Sequence, residues 1–398
     1  MPLRLLTAGE SHGPWQVALL EGVPAGVPFD AERLRTHMRR RQSGHGRSAR
    51  QRIEQDMPEV HGGIRLGKTT GAPVALAIPN LDHARWTAVM TPEAPSTSAA
   101  QDAVDTRRIE HLRPGHADYA GAVKYGLDDV RDVLERASAR ETVARVAAAG
   151  ILLPLLEAAG IRLTSHVLAI GTVTAHIPAG PDDPDLVRLL QERAEPSPVR
   201  CADSAASAAM VAAIDAAGKA GDSLGGIFEV VVTGLPVGLG SHVQWDRRLD
   251  GRLAQAVMSI QAVKGVAIGD AFGEASRLGS AVHDPFADGF VRTGNRAGGL
   301  EGGMTNGQPL IVRGAMKPIS TLRQPLQGAR WPDGAPAPAH FERADICAVP
   351  AAGVVAEAMV AFVIADALLE KTGGDSLAEV LAHLEATRKL ADRSEPTP

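Results

Sequence analysis

Short apolar runs of strand length alternate along this chain with longer runs at helical spacing. Leu3 to Thr7, Val17 to Glu21 and Pro73 to Ile78 predict strands near the amino end. Asp30 is placed to cap a helix over Ala31 to Arg41. The strongest helical pattern covers Asp128 to Ala149, with Ile151 to Ala159 extending it. Ala137, Ala144, Ala147 and Ala148 give it a face suited to close packing. Further strands are predicted over Arg162 to Thr174, Gly225 to Gly234 and Leu310 to Ala315. Ser207 is placed to cap a helix over Ala208 to Lys219, and helices are predicted over Leu249 to Val263, Val354 to Lys371 and Ser376 to Lys389. Residues 81 to 111, 176 to 206 and 324 to 340 predict loops, Arg52 to Pro58 a strand or turn, and the final SEPTP disorder.

One glycine pattern occurs twice. Gly62-Gly63-Ile64, Gly67-Lys68-Thr69 and Pro73-Val74 recur in order as Gly298-Gly299-Leu300, Gly303-Met304-Thr305 and Pro309-Leu310. A glycine–apolar–proline–apolar–glycine segment precedes each copy, Gly22 to Gly26 and Gly234 to Gly238, and each is followed by a predicted helix. This reads as an internal duplication, with halves over about 1–150 and 220–375 forming one domain across 1–398.

Composition narrows the function classes. The 398 residues are 44% hydrophobic but only 3% aromatic, which argues against base-stacking platforms for nucleic acid. A net charge of −5 gives no global field for nucleic acid or anionic lipid. Cys201 and Cys347 stand in no metal-ligand or redox spacing. The amino end has no apolar core of signal-peptide length, and the run Val354 to Leu369 carries Glu357 and Asp366 and is too short to span a bilayer. A soluble, cytoplasmic protein is expected.

Two local patterns suggest phosphate or nucleic-acid binding. Gly62 to Thr69 fits GxxxxGK[ST]. A phosphate loop needs a buried strand before it and a helix after it, whereas here polar residues with Pro58 precede and TTGAPVALAI follows. The arginines at 39, 40, 41, 47, 50 and 52 form a basic run around a glycine-histidine loop, where a small anionic ligand competes with RNA.

The candidate chemistry sits in glycine turns. Gly9-Glu10-Ser11-His12-Gly13 and Arg113-Pro114-Gly115-His116 each present a histidine where proton transfer is possible. Arg136-Ala137-Ser138-Ala139-Arg140 places two guanidiniums four residues apart, on one face of the predicted helix. Together with Arg41, Arg47, Lys317, Ser320, Thr321, Arg343 and Asp345, these residues suit a small substrate bearing several negative charges.

GESHG at 9–13 with EGVPAG at 21–26, RPGHADYAGAVKYG at 113–126, LERASARET at 134–142, KGVAIGDAF at 264–272, NRAGGLEGGMTNGQPL at 295–310, MKPIST at 316–321 and RAD at 343–345 resemble the chorismate synthase family, in order from Leu5 to about Leu377. The resemblance implies an α+β fold: a β-α-β sandwich with helices between antiparallel sheets and an internal pseudo-two-fold repeat. It implies a lyase that converts 5-enolpyruvylshikimate 3-phosphate to chorismate and phosphate with reduced FMN, by an anti 1,4-elimination. His12 resembles the histidine that protonates the leaving phosphate, and His116 the one that stabilises reduced flavin near N1. Asp345, assisted by Ser11, resembles the acid that tunes flavin N5, and Ser138 a hydroxyl between flavin and substrate. Arg41, Arg47, Arg113, Arg140 and Arg343 resemble the substrate- and NADP-binding clamp. Arg136, Ala137, Ser138, Gln261, Ala262, Gly302, Lys317, Pro318, Ile319, Ser320, Thr321 and Arg343 resemble the FMN cradle. A homotetramer is implied, with NADPH as an indirect reductant through an external flavin reductase, and with no metal, nucleic acid or membrane. Gln16, Ala344 and Gly150 depart from the family pattern.

Overall fold

Alternating burial along the first strands shows how the chain begins to fold. In β2 (Trp15–Glu21) every second side chain is buried, so the strand covers a core with one face. It pairs antiparallel with β1 (Arg4–Ala8) on one side. The computed structural model describes residues 2–48, 50, 53–177, 180, 182–183 and 185–391. Arg52 and the SEPTP tail lie outside the described residues.

After β2 come α1 (Ala31–Gln42), β3 (Glu59–Gly62), β4 (Ile64–Arg65), β5 (Lys68–Thr69) and β6 (Val74–Pro79). α2 (Ser98–Arg107), α3 (Asp118–Tyr125), α4 (Arg131–Ala137) and α5 (Thr142–Ala158) complete the first half. Next are β7 (Arg162–Ile170), β8 (Val173–Thr174), α6 (Leu186–Ala194), α7 (Ser204–Lys219), β9 (Gly226–Thr233), α8 (Leu249–Met258) and β10 (Val263–Ile268). The short α9 (Ala271–Glu274) and α10 (Gly279–Val282) lead to β11 (Leu300–Glu301), β12 (Met304–Thr305), β13 (Leu310–Met316), β14 (Gln327–Ala329) and β15 (Pro336–Pro338). α11 (Val349–Thr372) and α12 (Leu377–Ala391) end the chain.

Two antiparallel sheets result, ordered β1-β2-β6-β3 and β10-β13-β9-β7-β8. α5 packs on the first sheet, α11 on the second, and the two helices pack on each other. One continuous core therefore runs from Leu20 and Ile78 through Leu152 and Ile364 to Val230 and Val312. α11 is apolar around its whole circumference because it is enclosed on every side. At 24 residues it exceeds the run expected from sequence and is long and apolar enough to cross a bilayer, yet 83% of its apolar window is buried inside the protein. Gly150 explains itself here: a Cβ at that position would meet Leu34 Cδ1 at 2.4 Å, so its absence lets α1 lie against α5.

The two glycine segments form the same structure. β4 and β5 make a tiny hairpin, as do β11 and β12. Thr69 Oγ1 donates to the Pro24 carbonyl (2.6 Å) and accepts from the Val27 N–H (2.9 Å). Thr305 Oγ1 does the same with Pro236 (2.6 Å) and Leu239 (2.8 Å). Gly63 and Gly299 take φ of 80° and 85°, and a Cβ on either would meet a proline carbonyl at 2.6 Å. The GxxxxGKT stretch is thus a hairpin with an exposed Lys68 and no following helix, which removes the phosphate-loop reading.

Several expectations need correction. The long helix from Asp128 is broken at Ser138, whose ψ of 140° is extended and whose side chain accepts the Arg140 N–H of the next turn (3.3 Å). Arg136 and Arg140 therefore do not share a helix face. Residues 176–206 contain α6, which buries Leu186, Val187 and Leu190. α7 starts at Ser204 under an Asp203 cap, ahead of Ser207. Residues 324–340 form the β14–β15 hairpin. Residues 81–111 hold α2 and a buried Trp86.

A buried polar network crosses the core between α1 and α11. Arg40 bridges Glu357 (2.6 Å) and Glu195 (2.6 Å), and Ser165 also donates to Glu357 (3.0 Å). His37 lies beside them, and burial pushes its imidazole down to about 4, with Glu357 opposing and Arg40 reinforcing that push. His37 is neutral when folded, whereas the unfolded chain binds its proton near pH 6.5. Its contribution is complete above that pH and is lost as pH falls from about 6.5 to about 4, on the order of 3 kcal/mol. The urea midpoint is expected to fall across that window and to flatten in His37→Gln; an equally steep fall in the variant contradicts the assignment.

Candidate active site

The loops that join these layers converge on a cavity of about 500 Å³. Its walls come from the β1–β2 turn, the end of α1 with the loop to Glu54, the histidine turn before α3, the break between α4 and α5, residues 260–262 and 316–321, and the segment 342–345 leading to α11. Seven basic side chains line it (Arg41, Arg47, Arg50, Arg113, Arg140, Lys317, Arg343), against three carboxylates (Glu54, Glu342, Asp345). Such an excess of cations lining one cleft favours a polyanionic ligand.

His12 is fixed on its far side. Its Nδ1 lies 2.8 Å and 3.1 Å from the two carboxylate oxygens of Glu135, and its main-chain N–H donates to the same carboxylate (2.8 Å). The Trp86 ring packs against the imidazole at 4.1 Å between centroids. Its Nε2 meets Arg50 (3.3 Å), which also donates to Ser11 Oγ (2.8 Å). Buried Gln16 donates to the Glu10 carbonyl (2.6 Å) and so shapes the turn that carries His12; this is what the departure at position 16 does.

His116 repeats the arrangement. Its Nδ1 is 2.6 Å from Asp118, which is fully buried and also takes the Arg113 Nε (2.9 Å) and main-chain N–H (3.0 Å). Burial works against ionisation of Asp118, but the bonds from Arg113 and His116 prevail and hold its carboxyl well below the usual range.

The arginines are already engaged. Arg140 donates to Asn80 (2.8 Å), to Glu54 (3.2 Å) and to Asp56, and Arg41 reaches Asp56 at 3.2 Å and Thr142 at 3.0 Å. Asp56 sits at φ 39°, a left-handed backbone that this paired contact holds in place. Burial lowers the Arg41 guanidinium to about 10, with Asp56 opposing and Arg140 and Arg47 adding to the effect. Asp345 accepts from the Ser48 N–H (2.7 Å) and lies 3.3 Å from Arg47. With Ala344 beside it, the aspartate is held by these partners, while the Ser11 hydroxyl receives Arg50 and Ser138 (3.2 Å). Arg343 is half-exposed, 3.6 Å from Asp82.

Ala137, Ser138, Gln261, Ala262, Pro318, Ile319, Ser320 and Thr321 line the same cavity, and Lys317 donates to the Gly115 carbonyl within it. Ala262 takes φ 66°, and the buried Gln261 Oε1 finds no donor among the described residues. Two expected site residues lie elsewhere in the structure. Arg136 binds the Thr7 (2.9 Å) and Gly9 (3.0 Å) carbonyls on the outer side of the turn. Gly302 occupies the β11–β12 turn. The basic run splits among destinations: Arg39 pairs with Glu32 at the surface (2.8 Å), Arg40 enters the core, and Arg41, Arg47 and Arg50 face the cavity. Among the described residues the run makes no continuous basic stripe for RNA.

Glu135, Asp118, Trp86, Asp56 and Glu54 were absent from the expected set. Glu135 and Asp118 were within reach, one residue before Arg136 and two after His116. Among the described residues, no group of three His, Cys, Asp or Glu side chains is placed to hold a metal.

The family model for chorismate synthase matches residues 3–369. The chain belongs to the chorismate synthase family. It is 55% identical over 386 residues to the chorismate synthase of Symbiobacterium thermophilum, covering 95% of this chain and 97% of that protein. It is 54% identical over 388 residues to that of Acidothermus cellulolyticus, with 96% and 98% covered. A solved structure described as "Crystal Structure of Chorismate Synthase" matches with a TM-score of 0.78 and 39% identity, covering 98% of this chain and 99% of that one. The protein is thus a lyase of aromatic amino acid biosynthesis, with the α+β fold of its family.

Proposed function

We propose that this chain eliminates phosphate from 5-enolpyruvylshikimate 3-phosphate to give chorismate, using reduced FMN. The observation that carries the reading is His12 facing a cavity with seven cationic side chains. A substrate with one phosphate and two carboxylates needs several arginine forks, and Arg41, Arg47, Arg113, Arg140 and Arg343 supply them. In the elimination the ring C–O bond to phosphate breaks, a ring C–H proton leaves, and a new ring double bond forms. His12 Nε2 gives the departing phosphate a proton, which lowers its cost as a leaving group. Arginines beside it stabilise the charge that develops on the phosphate oxygens.

The residues present fit a flavin. Apolar Ala137, Ile260, Met316, Pro318 and Ile319 offer a flat surface, and Lys317, Ser320 and Thr321 offer donors for a phosphate tail. Gln261 lines the same cavity and its buried Oε1 has no donor among the described residues, so its amide would be available to a flavin ring N–H after a side-chain rotation. The bound flavin supplies transient electron density and an acceptor for the ring proton. With flavin bound, His116 would hold a proton toward it, Asp345 and Ser11 would set the local hydrogen bonding, and Ser138 would offer its hydroxyl between flavin and substrate. Arg136 shapes the His12 turn from behind through the Thr7 and Gly9 carbonyls.

We also propose a cytoplasmic homotetramer supplied with reduced flavin by an external NADPH-dependent reductase. In support of assembly, the outer face of the first sheet leaves Leu6, Trp15, Val17 and Leu19 exposed. Flavin fluorescence titrated with protein and substrate together is expected to be quenched to saturation. Unchanged fluorescence would contradict the flavin assignment.

A further inference from the structure

Both cavity histidines are held from behind by a fully buried carboxylate that is itself bound by an arginine. Behind His12 stands Glu135, which also takes Arg131 at 3.1 Å. Behind His116 stands Asp118, which takes Arg113. The enclosure of His12 is completed by Trp86, whose ring carries the Arg107 and Arg131 guanidiniums at 4.3 Å and 5.0 Å. His83 Nδ1 meets the His12 carbonyl at 2.9 Å, so the main chain of the turn is pinned as well.

The chemistry of these contacts selects the ring's proton position. An ionised carboxylate only accepts, so the Nδ1 facing it must donate. At His12, Nε2 is then left to accept from the Arg50 N–H. At His116, Nδ1 is 2.6 Å from Asp118 and 2.9 Å from Arg113, and the shorter contact to an anion makes it the donor there too.

We infer that Glu135 and Asp118 are positioning residues for the reaction: each fixes its histidine with Nδ1–H on the carboxylate and Nε2 toward the reacting groups. Each also supplies the negative charge that balances the imidazolium when Nε2 carries a proton. At His12 the proton passes from Nε2 to a phosphate oxygen, and Nε2 regains one from solvent before the next turnover. This inference rests on the proposed elimination and adds the groups behind its acids. A buried carboxylate bonded to the far nitrogen is a recurrent device for orienting a working imidazole.

Glu135→Gln keeps the volume but replaces one acceptor oxygen by an NH2 among three donors: the His12 N–H, the His12 Nδ1–H and Arg131. The expected result is a kcat about 100-fold lower with KM for the phosphate substrate changed less than about threefold. In ¹⁵N-histidine spectra of the native protein, His12 is expected to show a protonated Nδ1, a signature lost in Glu135→Gln. Glu135→Asp, which restores the charge, is expected to regain part of the kcat, and Asp118→Asn to repeat the kcat-selective loss through His116. Thermal unfolding and flavin titration of each variant separate these effects from misfolding. If Glu135→Gln does not fold, Glu135→Asp and Asp118→Asn decide by the same comparison with the native enzyme. Two results overturn the inference: a kcat within about threefold of native in both neutral variants, or a native His12 spectrum bearing its proton on Nε2 alone. The spectra do not depend on turnover, so a native protein that makes no chorismate counts against the elimination and not against the dyads.

Discussion

His12→Ala is expected to lower turnover by about 10²- to 10⁴-fold while KM for the phosphate substrate changes little. Binding of the substrate's three anionic groups falls to the arginines, all of which remain in the variant. On the proposed elimination, what is lost is the proton that accompanies the departing phosphate. The fold should persist, because Glu135 keeps Arg131 and the main-chain N–H of residue 12, and alanine leaves only a small void beside Trp86. His116→Ala is expected to reduce turnover through the flavin side of the cavity instead. Steady-state kinetics with excess reduced flavin reads both, and a His12→Ala enzyme within about threefold of native would remove His12 from the chemistry.

Arg140→Ala is expected to weaken both the fold and the substrate site. Its guanidinium pairs with Asp56 and Glu54, whose side chains are 0% and 1% exposed. Without it, Asp56 retains Arg41 at 3.2 Å, and Glu54 retains the Leu81 N–H at 2.9 Å and a longer contact to Arg50. Removing one partner of a buried charge group costs about 3–5 kcal/mol, because the remaining charge cannot return to water. Replacement of Arg140 by lysine keeps the charge but not the three-way fork to Asn80, Asp56 and Glu54, so an intermediate loss is expected. Denaturant unfolding measures the first effect and substrate titration the second. An Arg140→Ala protein of native stability would show that Asp56 and Glu54 are not held as ions in the cavity wall.

Much of this site was legible in the sequence because its residues sit in turns that only glycine permits. Gly115 at φ 75° sharpens the turn that presents His116, and Gly63 and Gly299 mark two hairpins through a spacing that survives without any alignment. The arginines were legible as a set, yet their destinations were not. Arg39, Arg40 and Arg41 are consecutive, and helical geometry sends them to solvent, to the core and to the cavity. The break at Ser138 is hidden because Asp128 to Ala149, with Ile151 to Ala159 extending it, reads as one helical pattern, and only the packed structure shows the serine capping a new turn. Glu135 and Asp118 are hard to read for a related reason: a carboxylate next to Arg136, or two residues past a glycine-histidine turn, looks like a solvated charge until the fold buries it against a histidine. Trp86 lay in a segment whose polar composition gave no hint that one aromatic turns inward onto His12.

The most direct measurement is anaerobic turnover of the native protein with 5-enolpyruvylshikimate 3-phosphate and dithionite-reduced FMN, following chorismate and inorganic phosphate together. The same assay with oxidised FMN and NADPH reads whether the chain reduces its own flavin. Equimolar chorismate and phosphate, dependent on reduced flavin, is the expected result. Release of phosphate without chorismate, or no release with flavin and substrate both bound, would contradict it.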